Sequence, residues 1–293
     1  MSKSEFLSLV NQGTFLFDGA IGTELQARGL PVGEVPEKWN FSNPDALADI
    51  HKKYAEAGAR AVTTNSFGGS PHKLKSCSLQ DKAYEVNKVA VEIARKAVGD
   101  SMLVAGSVGP TGALLMMGDL SESEMASGFE IQIKGLVDGG ADLIILETFS
   151  DPDEIKIALQ AAKAVTDLPV ITSMTFEPGA KGFRTMMGTD IPTAVKMLED
   201  AGADILATNC GTGIDKAVEI VAEMRQNTSM LICAEPNAGL PKLVNGQTTY
   251  LETPEQMAAR IPDLINAGAQ IVGGCCGTTP AHIKLFSEVI ARL

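Results

Sequence analysis

One short pattern occurs four times in the sequence: a helix end, a glycine, an alanine and then an apolar run. The copies are AGARAVTTN (57–65), GGADLIILE (139–147), AGADILATN (201–209) and AGAQIVGGC (267–275), with glycines Gly58, Gly140, Gly202 and Gly268. Each glycine is placed to end a helix, because glycine readily adopts the left-handed conformation found at such ends. The repeat therefore predicts a chain in which helices alternate with parallel strands.

Eight short apolar runs of this kind occur along the chain. They are rich in Val, Ile and Leu without strict polar alternation, which is typical of parallel strands buried on both faces. The predicted strands are Thr14–Asp18, Arg60–Thr64, Met102–Gly106, Asp142–Leu146, Pro169–Ser173, Asp204–Thr208, Met230–Ala234 and Gln270–Gly273. The predicted helices are 43–57, 80–98, 121–138, 151–165, 190–201, 214–226, 254–267 and 279–292.

Strands and helices that alternate at this period can form a closed (β/α)₈ barrel or an open doubly wound sheet. Eight units, with no G-x-G-x-x-G motif after the first strand, favour the barrel. A barrel of this kind takes about 250 residues, so one such domain would nearly fill the chain. We therefore predict an α/β fold, a single-domain (β/α)₈ TIM barrel over residues 1–293.

The composition disfavours several other kinds of protein. The chain has 24 Lys and Arg against 36 Asp and Glu, a net charge of −12, so nucleic acids and anionic membranes are poor partners. The N-terminus has no long apolar segment and no later stretch could span a bilayer, so neither secretion nor membrane insertion is expected. Five cysteines in a chain of this length do not suggest a disulfide framework, and we expect a cytoplasmic protein.

In a barrel the active site forms at the carboxyl-terminal ends of the strands. The chemistry-bearing residues at the predicted strand ends are Asp18, Thr64, Asn65, Ser107, Glu147, Thr175, Asn209, Cys210, Glu235, Asn237, Cys275 and Cys276. Three of the five cysteines thus fall on one ring, together with acids and amides. This grouping indicates a chemical site rather than a packing pattern.

The three cysteines on the ring can reach a single ion. Cys275 and Cys276 are adjacent, and neighbouring side chains on an extended segment point to opposite faces. The glycines of GGCCG (273–277) allow the chain to turn there, so that both sulfurs can face the same way. Cys210 ends the sixth strand, two places round the barrel from the eighth, and can complete the cluster.

Three thiolates with one open position suit Zn²⁺, which binds sulfur well and favours four ligands. A structural zinc site normally closes with a fourth Cys or His, but none of the three histidines ends a strand. We therefore expect one zinc ion per chain, with a position left for substrate. Cys233 is expected to be core packing and Cys77 has no evident partner. A disulfide between Cys275 and Cys276 is an alternative that a reducing compartment disfavours.

An open position on such a zinc ion suits a thiol substrate. A free thiol is only a few per cent ionised at pH 7, since its pKa is near 8.5, and binding to zinc removes its proton. Three anionic ligands also keep a bound substrate sulfur electron-rich, whereas activation of water works better with neutral histidine ligands. The site is therefore suited to a sulfur nucleophile that attacks a methyl group.

Six motifs stand at or next to these strand ends: DGAIGTEL (18–25), TTNSFGG (63–69), SVGPTG (107–112), ETFSD (147–151), TNCG (208–211) and GGCCGTTP (273–280). Together they resemble the homocysteine S-methyltransferase family, above all the homocysteine-binding barrel of cobalamin-dependent methionine synthase. The resemblance covers essentially the whole chain, and GGCCGT with an upstream NCG is its most specific part. It implies a (β/α)₈ fold, a catalytic zinc on Cys210, Cys275 and Cys276, and homocysteine as the acceptor that becomes methionine.

The resemblance also implies roles for residues around the cysteines. The substrate-binding residues would be Asp18, Gly19, Ala20, Thr64, Asn65 and Glu147. Asp18 and Glu147 would hold the substrate ammonium, and backbone N–H groups of Gly19–Gly22 its carboxylate. Asn237 would occupy the zinc when substrate is absent. The alternatives are that Asp18 caps the turn after its strand and that Asn237 satisfies its own turn.

The sequence contains no second barrel for folate and no D-x-H-x-x-G cobalamin-binding motif, so we expect the methyl group to arrive on another molecule. A separate protein that carries methylcobalamin or another methyl-corrinoid is the first expectation. S-methylmethionine, betaine or another small onium donor is the alternative. A corrinoid-linked demethylase and a non-catalytic subunit with a fully ligated zinc also remain open, but a Schiff-base aldolase is disfavoured because no predicted strand end carries lysine.

Overall fold

The computed structural model describes residues 1–244 and 247–293, and its central element is an eight-stranded parallel sheet. Strands β1–β8 are Phe15–Leu16, Ala61–Thr63, Leu103–Val108, Leu143–Phe149, Val170–Met174, Ile205–Gly213, Ile232–Asn237 and Ile271–Val272. They pair in chain order from β2 to β8, and β8 pairs with β1. Between β1 and β2 the N–H of Arg60 donates to the carbonyl of Leu16 at 2.8 Å, so the sheet is nearly closed into a barrel. The barrel prediction is confirmed.

A helix follows each strand and packs against the outside of the sheet. Helices α1–α8 are Pro44–Glu56, Ala83–Val98, Glu122–Asp138, Pro152–Val165, Ile191–Asp200, Ile214–Asn227, Pro254–Ala267 and Pro280–Ile290. Several begin at residues that cap free N–H groups: Ser121 and Thr253 form capping boxes, and Asp151 accepts from two N–H groups of α4. All eight predicted helices are therefore confirmed within a few residues. No helix in the described part of the chain is long and apolar enough to cross a membrane.

The strands bury side chains on both faces, as predicted from their apolar runs. The cluster inside the barrel contains Phe15, Phe17, Ala61, Ala105, Leu143, Ile145, Ile171, Ile205, Ala207, Cys233 and Ile271. The cluster between sheet and helices includes Leu16, Val62, Val104, Ile144, Leu146, Val170, Leu206, Ile232 and Val272. Cys233 is fully buried in the inner cluster, as expected for a packing residue. The filled interior supports the polar residues at the strand ends.

Several short elements were not predicted from periodicity. They are helices Lys3–Val10, Gly22–Ala27, Trp39–Ser42 and Pro71–Leu74, 3₁₀ turns Pro36–Lys38, Lys75–Cys77 and Leu115–Met117, and the hairpins Glu177–Gly179 with Gly182–Arg184 and Lys242–Val244 with Gln247–Thr249. Helix Lys3–Val10 covers the amino-terminal end of the barrel, where its Phe6 and Val10 join the inner cluster. The others lie in loops that follow strands, so they surround the opposite end, where the strand-end residues lie.

The four glycines of the sequence repeat adopt the positive φ values predicted for them. The angles are +98° at Gly58, +94° at Gly140, +82° at Gly202 and +123° at Gly268. Each glycine lies at or just after the end of a helix, at α1, α3, α5 and α7 respectively. The repeat therefore marks the points at which the chain turns from a helix into the next strand.

Two of these glycines differ in the space around them, which gives a matched test of stability. At Gly58 an added Cβ would lie 2.4 Å from Ser287 Oγ, whereas at Gly140 nothing lies within 4 Å. Gly140→Ala should lower the free energy of unfolding by about 1 kcal/mol through its positive φ. Gly58→Ala should cost at least about 1 kcal/mol more, because Ser287 must also move. Urea unfolding would measure both values, and equal losses would contradict the packing argument.

Candidate functional site

The sulfur atoms of Cys210, Cys275 and Cys276 all lie within 4.8 Å of one another. Cys210 lies on β6 and the other two follow β8, with β7 between them, as the predicted strand order requires. All five cysteines are free, so the alternative disulfide is not formed. In a tetrahedral zinc–thiolate site the sulfurs lie about 3.8 Å apart, given a Zn–S bond of about 2.3 Å. The cluster can therefore hold such an ion with small side-chain movements.

The backbone of Cys210 has a strained conformation. Its φ is +59°, a conformation that few residues other than glycine adopt. The register between β6 and β7 shifts at this point, between Asn209 and Gly213. The shift carries the chain out of regular pairing just where the thiol must face the barrel mouth. Strain of this kind persists where the surrounding structure enforces it, and it is common at functional sites.

The segment with Cys275 and Cys276 is tied to the end of β7. The N–H of Cys275 donates to the carbonyl of Pro236 at 2.9 Å, and the carbonyl of Cys276 accepts from the N–H of Ala238 at 2.9 Å. Gly277 follows with a φ of +83°, which completes the turn. The predicted turn at 273–277 is thus observed, and it brings both adjacent thiols to the same cluster.

The three thiols share their protons unequally. Cys275 and Cys276 make hydrogen bonds to Cys210, and both bonds lower the pKa of Cys210. The hydrogen bond between Cys210 and Cys275 raises the pKa of Cys275. The hydrogen bond with Cys210 also raises the pKa of Cys276. One thiolate is therefore favoured before any ion binds, and a metal ion would displace the remaining protons.

Asn237 has the arrangement expected of an additional oxygen ligand. Its side chain is buried and makes a hydrogen bond to Cys210. Its Oδ1 is also buried and has no hydrogen-bond partner in the described part of the chain. A buried carbonyl oxygen without a partner is costly, and one beside three thiols can be satisfied by a cation. The donor set therefore fits a metal ion.

Two residues that support the cysteines have no role assigned to them from the sequence. Asn209 places its Nδ2 3.7 Å from the sulfur of Cys275, while its Oδ1 accepts from the hydroxyl of Ser173 at 2.6 Å. Tyr250 makes a hydrogen bond to Cys276. Asn209 was placed on the ring of strand ends without a role, whereas Tyr250 follows a hairpin and carried no signal in the sequence. Both side chains limit how far the sulfurs can move.

The cysteines line a cavity of about 480 Å³ at the carboxyl-terminal ends of the strands. The predicted site residues that line it are Asp18, Gly19, Ala20, Thr64, Asn65, Glu147, Cys210, Cys275 and Cys276. Asn237 does not line it and reaches the site through Cys210. Nine residues predicted from separate parts of the chain therefore share one cavity wall.

Two of the predicted carboxylates are buried in this wall. Asp18 accepts from the N–H of Thr63 with one oxygen and from its hydroxyl with the other, both at 2.9 Å. Glu147 accepts from the hydroxyl of Ser107 with one oxygen. Burial raises the pKa of Asp18 to about 8 and that of Glu147 to about 7. Among the described residues no lysine or arginine pairs with either acid, so the cavity would be stabilised by a bound cation.

The other predicted pocket residues use their polar groups within the protein. The side-chain amide of Asn65 donates to the carbonyl of Pro36 at 2.8 Å, and Thr64 Oγ1 accepts from the N–H of Ser107 at 3.0 Å. The N–H of Ala20 donates to Thr278 Oγ1 at 3.1 Å. These three residues shape the wall of the cavity, and their polar groups are largely engaged.

Comparison with known proteins gives consistent matches. Residues 15–290 match the homocysteine S-methyltransferase family. The chain is 31% identical to methionine synthase of Mycobacterium tuberculosis over 99% of its own length and 26% of that protein, and 31% identical to methionine synthase of Mycobacterium leprae, over 99% and 25%. It thus spans about a quarter of the length of these relatives. The metallated homocysteine methyltransferase MmuM from Escherichia coli superposes with a TM-score of 0.80 at 27% identity, over 98% of this chain and 99% of that one.

Proposed function

The chain belongs to the homocysteine S-methyltransferase family, and we propose that it transfers a methyl group to the sulfur of homocysteine, giving methionine. The observation that carries this proposal is that the three-cysteine cluster and the buried carboxylates line the same cavity. A substrate whose thiol binds at the cluster would place its ammonium group, a few bonds away, among these acids. The barrel of residues 1–293 would then act as one homocysteine-binding methyltransferase domain.

The cluster is proposed to hold one zinc ion on Cys210, Cys275 and Cys276, with Asn237 as a further ligand when substrate is absent. Three sulfur donors at these separations suit zinc better than harder ions such as magnesium. Bound zinc would supply the positive charge that removes the proton of the substrate thiol and keeps its sulfur nucleophilic. The side chains of Asn209 and Tyr250 would keep the cysteine sulfurs in position during this step.

The two charged ends of homocysteine would have separate partners in the cavity. Asp18 and Glu147 would hold the ammonium, because both are buried and neither has a cationic partner in the described chain. The N–H groups of the Gly19–Gly22 segment would hold the carboxylate. Since the N–H of Ala20 is already bonded to Thr278, its neighbours in this segment would make that contact.

A separate methyl-corrinoid protein is proposed as the methyl donor, because the loops around the cavity expose apolar side chains. Those on loops after the strands are Val32, Phe67, Leu114, Met116, Met117, Met186, Met187, Leu240, Leu243 and Leu251. Met116, Met186 and Leu243, after β3, β5 and β7, are 76%, 82% and 78% exposed. Apolar side chains gathered around a mouth suit contact with another macromolecule.

The second candidate is a small onium donor such as S-methylmethionine or betaine. It is favoured by the acidic cavity, since a positively charged methyl donor would be attracted to Asp18 and Glu147. A donor of this kind would need no contact with the exposed loops. The two candidates therefore differ in whether those loops matter.

Methyl transfer to homocysteine should be compared with methylcobalamin, free or bound to a corrinoid protein, and with S-methylmethionine and betaine, with methionine detected by mass spectrometry. For a protein-bound donor, Met116→Glu with Met186→Glu should lower the rate by about 10-fold or more. The rate with free methylcobalamin should stay within about two-fold. Ile131→Glu, on the outer face of α3, is the matched control and should change neither rate. Methionine formed from an onium donor alone would reject the corrinoid proposal.

A further inference from the structure

A third carboxylate, that of Glu235 on β7, also lines the cavity. Its side chain is only 6% exposed, and it makes no hydrogen bond or ion pair with any described residue. Asp18 differs, because Thr63 occupies both of its oxygens, and Glu147 differs because Ser107 occupies one. Of the three acids, Glu235 is therefore the one whose hydrogen-bonding capacity the protein leaves unused.

A carboxyl group buried without a partner is costly, so such a group normally has a partner that the free protein does not supply. For Glu235 that partner must come from the cavity, since the side chain lies in the cavity wall. The charged groups that act on it are Glu147 and Asp18, both acids. A group with positive charge is therefore the ligand that this position favours.

The number of carboxylates in the cavity equals the number of N–H donors on an alkylammonium group. An alkylammonium has three N–H donors and no acceptor. Asp18, Glu147 and Glu235 offer one carboxylate each around a single cavity, with the cysteine cluster in the same wall. Thr63 already donates to both oxygens of Asp18 and Ser107 to one oxygen of Glu147, so without Glu235 a buried ammonium would find few free acceptor oxygens among these acids.

We propose that Glu235 is a substrate-binding and specificity-determining residue, which accepts one N–H of the homocysteine ammonium beside Glu147 and Asp18. The inference rests on the proposed function, since it takes homocysteine as the substrate. In this proposal three carboxylates, rather than two, select a thiol that carries an ammonium group over a thiol that lacks one. Glu235 acts in binding, and the cysteine cluster does not depend on it.

The test is to compare homocysteine with 4-mercaptobutyrate, which keeps the thiol and the carboxylate but lacks the ammonium. In zinc-loaded protein, Glu235→Gln should weaken homocysteine binding by about 10- to 100-fold, measured by calorimetry and as KM. It should leave zinc content unchanged and leave 4-mercaptobutyrate turnover equal or increased, because that substrate gains nothing from the carboxylate.

Glu154→Gln is the matched control, because Glu154 is equally buried but accepts from Thr111 and does not line the cavity. Glu154→Gln should change neither the binding of homocysteine nor the turnover of 4-mercaptobutyrate. If Glu235→Gln binds homocysteine like the wild type, or loses both thiols equally, the inference is wrong while the proposed function stands. If wild-type protein neither binds nor methylates homocysteine, the proposed function fails, and the inference fails with it.

Discussion

Serine in place of Cys210 or Cys275 is expected to remove the metal ion and abolish methyl transfer. Serine has a hydroxyl that stays protonated at neutral pH and binds zinc poorly, so only two thiolates would remain. Purified wild-type protein should contain about one zinc per chain, and each variant should retain about a tenth of that or less. Methyl transfer should fall by more than about 100-fold, since even residues that only support metal ligands have effects of this size.

The same variants should still fold, because the cysteines lie at strand ends above a filled barrel interior and not within it. Circular dichroism would check the fold, and mass spectrometry of metals would give the zinc content. Cys77→Ser is the matched control: Cys77 lies outside the cluster, and its thiol donates to the carbonyl of Leu74 at 3.3 Å. Full zinc content in both Cys210→Ser and Cys275→Ser would reject the proposed metal centre.

The barrel could be predicted from the sequence because its strands and helices follow local rules. The apolar runs predict the strands, and the four repeated glycines predict the points where helices end. The structure confirms those points, since all four glycines have positive φ. The bounds of β6 were less accurate: the prediction ended at Thr208, but pairing with β7 resumes after an irregularity and runs to Gly213. A register shift depends on the neighbouring strand, so a single strand's sequence does not reveal it.

The helix Lys3–Val10 could have been found. Ser2 and Glu5 form a capping box, and Phe6 and Val10 are spaced to share one helix face. The two hairpins are different, since each strand is only three residues long and no alternating pattern develops over that length.

The cysteine cluster could be predicted because strand order places strand-end residues in one ring. What the sequence could not provide was the distribution of hydrogen bonds among neighbouring acids. Asp18 and Glu235 both end strands, yet Thr63 donates to both oxygens of Asp18, whereas no described residue donates a hydrogen bond to the carboxyl of Glu235. Tyr250 was missed for a related reason, because only the folded loop brings it to Cys276. Partners that come from distant parts of the chain are visible only in three dimensions.

Neutralising Glu147 should weaken homocysteine binding while leaving zinc in place. Glu147→Gln keeps the shape of the side chain and still offers an oxygen to the hydroxyl of Ser107, so local structure should be retained. Loss of a charged partner for the substrate ammonium should raise KM and the dissociation constant by about 10- to 100-fold. Asp18→Asn should have a similar effect on binding. It should also destabilise the fold by about 1–3 kcal/mol, because an amide has only one acceptor oxygen for the two donors of Thr63.

The pH dependence of homocysteine binding tests the charge of Glu147 separately from the shape of its side chain. Burial raises the pKa of Glu147 to about 7, so the carboxylate that attracts an ammonium forms as the pH rises through that value. Wild-type affinity for homocysteine should therefore increase between about pH 6 and pH 8, while the substrate amine stays protonated. In Glu147→Gln the part of the increase centred near pH 7 should be lost, and only the part due to Asp18, whose pKa is about 8, should remain. Calorimetry across this range would measure both curves, and parallel curves for the two proteins would show that Glu147 does not bind the ammonium.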